Sequence, residues 1–156
     1  MKVASPQDPI RIGQIEIRYL LEGSDTGGAL VVFEALIPPN ARVPAPHHHV
    51  TYDETVYELA GTCTFTVQGR EVSLAPGQTL FIPRGAVHGF VNRGPEPVRF
   101  VATVTPGVLR SDFFREIGAL VNAGGPPDLV RMTEVMRRHG LEPAVAGGAP
   151  LAATRG

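Results

Sequence analysis

Between Ile10 and Val104, glycine and proline interrupt the chain every few residues, and the stretches between them carry apolar residues at a period of two. That period places alternate side chains on opposite faces of a strand. Many short strands joined by turns fold as a sandwich or barrel. Ile10, Ile12, Ile15, Ile17 and Tyr19 predict one or two strands. Ala29 to Ile37 is an almost unbroken apolar run ended by Pro38-Pro39, which predicts a buried strand. Cys63-Thr64-Phe65-Thr66-Val67 alternates, then passes through Gln68-Gly69-Arg70 into Glu71–Leu74, which predicts a hairpin. Thr79–Ile82, His88–Val91 and Val98–Val104 add further strands.

From Pro106 onward the period changes. Phe113, Ile117, Leu120 and Val121 recur at helical spacing, with Ser111 or Asp112 placed to cap and Gly124-Gly125 to stop the helix. Leu129, Met132 and Met136 make a second amphipathic stripe, opened by Pro126-Pro127-Asp128. Arg137, Arg138 and His139 fall in its last turn, where the helix dipole favours cations. The expectation is one mostly β domain over 1–156, with its barrel core at about 10–105. Two helices at about 109–140 would pack outside it, a loose arm would cover 1–9, and 143–156 would be disordered.

A net charge of −1 gives no electrostatic reason to bind nucleic acid or anionic membrane. No apolar run approaches the roughly 20 residues needed to cross a bilayer. The first residues lack the apolar core of a secretory signal. The lone Cys63 excludes an intrachain disulfide, and the expectation is a cytoplasmic protein.

The chemistry concentrates at residues 46–61. His47 and His49 share a face if they lie on one strand, whereas His48 points away. Glu54 follows, and His88 sits in a second block, Pro83-Arg84-Gly85-Ala86-Val87-His88-Gly89-Phe90. Three imidazoles and one carboxylate form a mixed nitrogen and oxygen set suited to a divalent first-row metal. His139 reads as a helix-end cation and Cys63 as a small core residue. Alternation from Glu54 also places Val56 and Glu58 on its face, so Glu58 is expected inside the barrel, as a second acid/base or a partner for a buried arginine such as Arg99.

At these positions the chain resembles a small single-domain cupin of the quercetin dioxygenase-like superfamily. The first cupin motif is glycine, five residues, His-x-His, three or four residues, Glu, six residues, Gly. His47, His49, Glu54 and Gly61 match it, with Ala41 where the opening glycine would stand. The second motif is glycine, five residues, Pro-x-Gly, two residues, His, three residues, Asn. Gly77, Pro83, Gly85, His88 and Asn92 match it without a gap.

The resemblance implies a double-stranded β-helix, or jelly-roll, barrel. It implies His47, His49, Glu54 and His88 as ligands of one divalent transition metal: Fe, Mn, Ni, Co, Cu or Zn. An interior lined by Phe65, Val67, Phe81 and Phe90 would exclude water around a small organic substrate, with Glu54 and Glu58 as catalytic candidates. The expected activity is a dioxygenase-like oxidation of a substrate chelated to the metal. The alternatives are metal-assisted isomerisation or decarboxylation, or a non-catalytic module that binds a metal or metabolite. A homodimer is expected, because the exposed strand edge of a small barrel is often buried in a symmetric contact.

Overall fold

The computed structural model describes residues 3–5 and 7–144. The strands run in chain order as β1 (Ile10–Ile12), β2 (Ile15–Leu21), β3 (Val31–Ile37), β4 (His47–His49), β5 (Asp53–Ala60), β6 (Cys63–Val67), β7 (Arg70–Leu74), β8 (Thr79–Ile82), β9 (His88–Val91) and β10 (Val98–Thr105). Two helices, α1 (Ser111–Asn122) and α2 (Leu129–Arg138), and a last strand, β11 (Leu141–Pro143), complete the described chain. The strands form a six-stranded sheet, β1-β2-β3-β10-β5-β8, and a five-stranded sheet, β11-β4-β9-β6-β7. Every pairing is antiparallel, and the two sheets roll into a jelly-roll barrel. No described helix is long and apolar enough to cross a membrane.

Alternation sorts each strand into an inner and an outer set. Val31, Phe33, Ala35 and Ile37 of β3 point into the core. Their neighbours Val32, Glu34 and Leu36 are only half-buried, so this strand has one buried face, not the two its unbroken apolar run suggested. On β10, Val98, Phe100, Ala102 and Val104 are buried. Phe65, Phe90 and Phe100 interlock inside, with ring centroids 6.0, 5.8 and 5.7 Å apart. Phe81 does not join them. It is 60% exposed, because β8 places Ile82 opposite Glu54 and Leu80 opposite Val56, which turns Phe81 outward beside Thr55.

Turn chemistry fixes the registers. Val67 pairs with Arg70, leaving the two-residue loop Gln68-Gly69 with φ of 49° and 77°, the left-handed pair that matches hairpin twist. Gly61 closes β5 with φ of 76°, and a side chain there would place its first carbon 2.6 Å from the Pro97 carbonyl oxygen. Gly61→Ala is therefore expected to destabilise the fold by about 1–3 kcal/mol from backbone strain alone, with the clash adding to it. A lower urea midpoint with an unchanged m-value would show this, and an unchanged midpoint would refute it.

The helices lie outside the barrel, as expected, but their details differ. Residue Arg110 is the N-cap of α1 and makes no side-chain cap bond; Ser111 is the first helical residue and its hydroxyl accepts from Arg115. Phe113 and Ile117 face the core, and Gly118 lets α1 approach β1 so closely that an added methyl would meet the Arg11 carbonyl at 2.7 Å. On α2 the inward stripe is Met132, Val135 and Met136, whereas Leu129 is 68% exposed. Asp128 caps α2 by accepting from the Arg131 amide. In its last turn, Arg138 and Arg137 pair with Glu116 and Glu142. Pro143 ends β11 and Ala144 bonds to Pro46; the rest of the segment expected to be disordered, 145–156, lies outside the described residues.

Candidate metal centre

Strand β4 delivers His47 and His49, β9 begins at His88, and β5 carries Glu54 as its second residue. His47 lies opposite His88 in register within the five-stranded sheet, and Glu54 comes from the six-stranded one. One ring nitrogen from each of His47, His49 and His88 lies within 4.8 Å of the others, an arrangement able to hold a metal ion. Glu54 Oε2 sits 3.5 Å from His88 Nε2 and 3.9 Å from His49 Nε2. All four residues singled out in the sequence converge.

Backbone carbonyls set the ring orientations. His47 Nδ1 lies 3.1 Å from the Ala45 oxygen, and His88 Nδ1 lies 2.9 Å from the Ala86 oxygen. A carbonyl only accepts, so Nδ1 carries a proton on both rings. The His47 Nε2 lone pair is left for the cluster, whereas His88 Nε2 carries the proton it donates to Glu54 and offers its lone pair once an ion takes that proton's place. Burial, together with the neighbouring His88, lowers the His47 pKa to about 4. Burial lowers His49 to about 3, against the opposing pull of Glu54. Both rings are therefore neutral near pH 7. Burial also pulls on His88, but the Glu54 hydrogen bond and charge outweigh it and raise its pKa. Burial pushes Glu54 up, yet its bond to His88 and the surrounding imidazoles hold it below the ordinary carboxylate range. Neutral imidazole lone pairs beside an ionised carboxylate are the donors a divalent ion needs. With metal–nitrogen bonds of about 2.1 Å, small side-chain shifts suffice to close this set around one ion.

Two contacts steady the site. Arg84, in the turn before His88, grips Asp53 through its amide (2.8 Å), Nε (3.1 Å) and Nη2 (2.7 Å), which lowers the Asp53 pKa to about 2. This pair joins the two motif segments next to Glu54. Tyr52 is wholly buried and stacks on His49, with centroids 4.4 Å apart and planes at 27°. Tyr52 therefore packs against a candidate ligand and does not line a mouth open to solvent. Its neighbour Tyr57 is exposed on the outer face of β5.

Glu58 lies inside, as parity required. It is 0% exposed, pairs in register with Phe100, and neither carboxylate oxygen has a hydrogen-bond partner among the described residues. Desolvation raises its pKa to about 8. Arg99 is not its partner: it alternates with the buried Val98 and Phe100 on β10, so its side chain points outward, 50% exposed and 3.8 Å from Glu34. Glu58 stands four residues along β5 from Glu54, roughly 13 Å at ~3.3 Å per residue, with Val56 between them. Cys63 is a buried core thiol whose pKa is pushed up to about 12 by burial and by Glu58. Asn92 is structural: its side chain donates to the Ile37 and Glu96 carbonyls and accepts from the Gly94 amide.

Residues 33–104 match the family model described as the cupin domain. Those residues form a cupin-superfamily domain. Among curated relatives it is similar to quercetin 2,3-dioxygenase of Bacillus subtilis (strain 168), 30% identical over 101 residues, which are 65% of this chain and 29% of that one. It is also similar to the tetracenomycin polyketide synthase protein TcmJ of Streptomyces glaucescens, 37% identical over 60 residues, or 38% of this chain and 40% of that one. This cupin chain thus spans well under half the length of either curated relative. Among solved structures, the polyketide cyclase RemF from Streptomyces resistomycificus superposes with a TM-score of 0.55 at 27% identity, over 65% of this chain and 73% of that one.

Proposed function

We propose that this cupin is a metal-dependent enzyme acting on a small aromatic compound whose adjacent oxygens chelate the ion, with dioxygenase-like oxidation as its reaction. The observation that carries this reading is the convergence of three imidazoles and the Glu54 carboxylate at one point of the barrel interior. His47, His49, His88 and Glu54 would hold a divalent transition metal, which supplies Lewis acidity to a phenolic or enolic oxygen pair. The similarity to a quercetin 2,3-dioxygenase supports a polyphenolic substrate. Glu54, held ionised, is suited to take the phenolic proton as the substrate binds. Phe65, Phe90 and Phe100, the last opposite Glu58, would keep water from the interior beyond the ligands. Glu58, kept a neutral acid below about pH 8 by burial, is the second acid/base candidate on the same face of β5.

The likeness to a polyketide cyclase, which covers a larger share of that relative than the dioxygenase match does, favours a second reading. In it the same oxygen pair is held and Glu54 moves a proton in a ring closure that consumes no oxygen. One experiment separates the two. The protein is stripped and reloaded in turn with Fe(II), Mn(II), Ni(II), Co(II), Cu(II) and Zn(II), then mixed with quercetin in an oxygen electrode cell. Metal-dependent oxygen uptake supports the first reading. Turnover of a poly-β-ketone test compound under argon supports the second. If quercetin binds but no metal gives turnover of either compound, the chain is a binding module.

A further inference from the structure

The strand that carries two of the three imidazoles is short and barely anchored on the side that faces β9. Strand β4 meets β9 through one register pair, His47 with His88. On its other side it meets β11 over its whole length: His49 with Leu141, His48 with Glu142 and His47 with Pro143. The ladder continues past both ends, from the Val50 amide to the Gly140 oxygen and from the Ala144 amide to the Pro46 oxygen, each 2.9 Å. In an antiparallel pair, hydrogen-bonded and unbonded partners alternate. Val50 with Gly140 and Pro46 with Ala144 are therefore bonded positions, and so is His48 with Glu142 between them. Pro143, which has no amide hydrogen, falls at an unbonded position and does no harm there.

Helix α2 reaches the same place from behind. Tyr52, stacked on the His49 ring, donates to the carbonyl of His139 at 3.4 Å, and His139 ends α2 and pairs with Glu116 of α1 at 3.0 Å. A side chain at Gly140 would press on the Tyr52 ring at 3.3 Å. All these partners follow residue 104, where the family match stops.

We infer that the α1–α2–β11 extension is a positioning clamp for the metal centre: β11 fixes the backbone of His47–His49, and Tyr52 fixes the His49 ring. The inference rests on the metal reading above for its effect on affinity, while the mechanical part can be read without metal. Removing an outer partner of a ligand typically weakens metal binding 10–100-fold.

The test uses the whole chain carrying Glu142→Pro, which removes the bonded amide opposite His48, beside Glu142→Ala, which removes only the ion pair to Arg137. Two amides report the strand. Val50 reports whether β11 is docked, and Gly85, whose N–H bonds to the His49 oxygen at 2.8 Å, reports whether β4 is held. The expected result for Glu142→Pro is faster hydrogen exchange at both amides and Co(II) affinity at least about tenfold weaker. Glu142→Ala should match the parent protein in all three. Unchanged exchange at either amide, unchanged Co(II) affinity, or an equal loss in Glu142→Ala overturns the clamp. If the parent protein binds no Co(II), the metal reading fails, and Gly85 exchange still decides whether β11 holds β4.

Discussion

His88→Ala is expected to lower the affinity for a first-row divalent ion by at least about 100-fold, the upper end of what losing a mere outer partner costs. The residue supplies one of three ring nitrogens gathered within 4.8 Å and the nearest contact to Glu54. His48→Ala is the matched control. His48 faces away from the cluster on the same strand, so its loss should leave affinity within about twofold, well inside the outer-partner range. Competition against a chelator of known strength, with elemental analysis of the dialysed protein, measures both. Retained affinity in His88→Ala, or loss in His48→Ala, would sink the assignment.

The second large effect concerns pH. Glu58 has its pKa raised from 4.5 to about 8 by burial without a partner. Between those values the folded protein keeps a proton that the unfolded chain has released. Stability should therefore fall as pH rises from about 4.5 to about 8, then level off as far as this group is concerned. At roughly 1.4 kcal/mol per unit, the total is on the order of a few kcal/mol. Glu58→Gln removes the ionisation and should flatten this part of the profile, so that the variant gains on the parent at pH 8 relative to pH 5. Urea unfolding of both proteins at pH 5, 6.5 and 8 supplies the comparison. Parallel profiles would mean that Glu58 stays solvated or paired.

The cluster was legible because strand parity is strict. His47 and His49 had to share a face, and the same counting carried Glu58 into the interior when hydrophobicity alone would have put it outside. Asn92 stood out too, as the last residue of the second motif. What failed were judgements made on residue type without a register. Aromatic character alone puts Phe81 in the interior, but β8 pairs Ile82 with Glu54 and so turns Phe81 out. A charge alone makes Arg99 a partner for Glu58, yet Val98 and Phe100 on either side of it face in, and alternation turns Arg99 out. Strand β11 was invisible for a different reason. Leu141-Glu142-Pro143 has no pattern of its own and is extended because β4 offers it an open edge. The Tyr52 hydroxyl bond to the His139 carbonyl belongs to the same class, a contact set by where α2 ends.

The division along β5 limits how this chain can vary. Glu54, Val56 and Glu58 point inward, while Asp53, Thr55 and Tyr57 point outward, so gaining or losing a single residue between 54 and 58 would exchange the two sets beyond it. Glu58 would then sit in water and Tyr57 in the core. Homologous chains are thus free to rewrite the outer residues of this strand one at a time, but differences in length must fall in the loops at its ends.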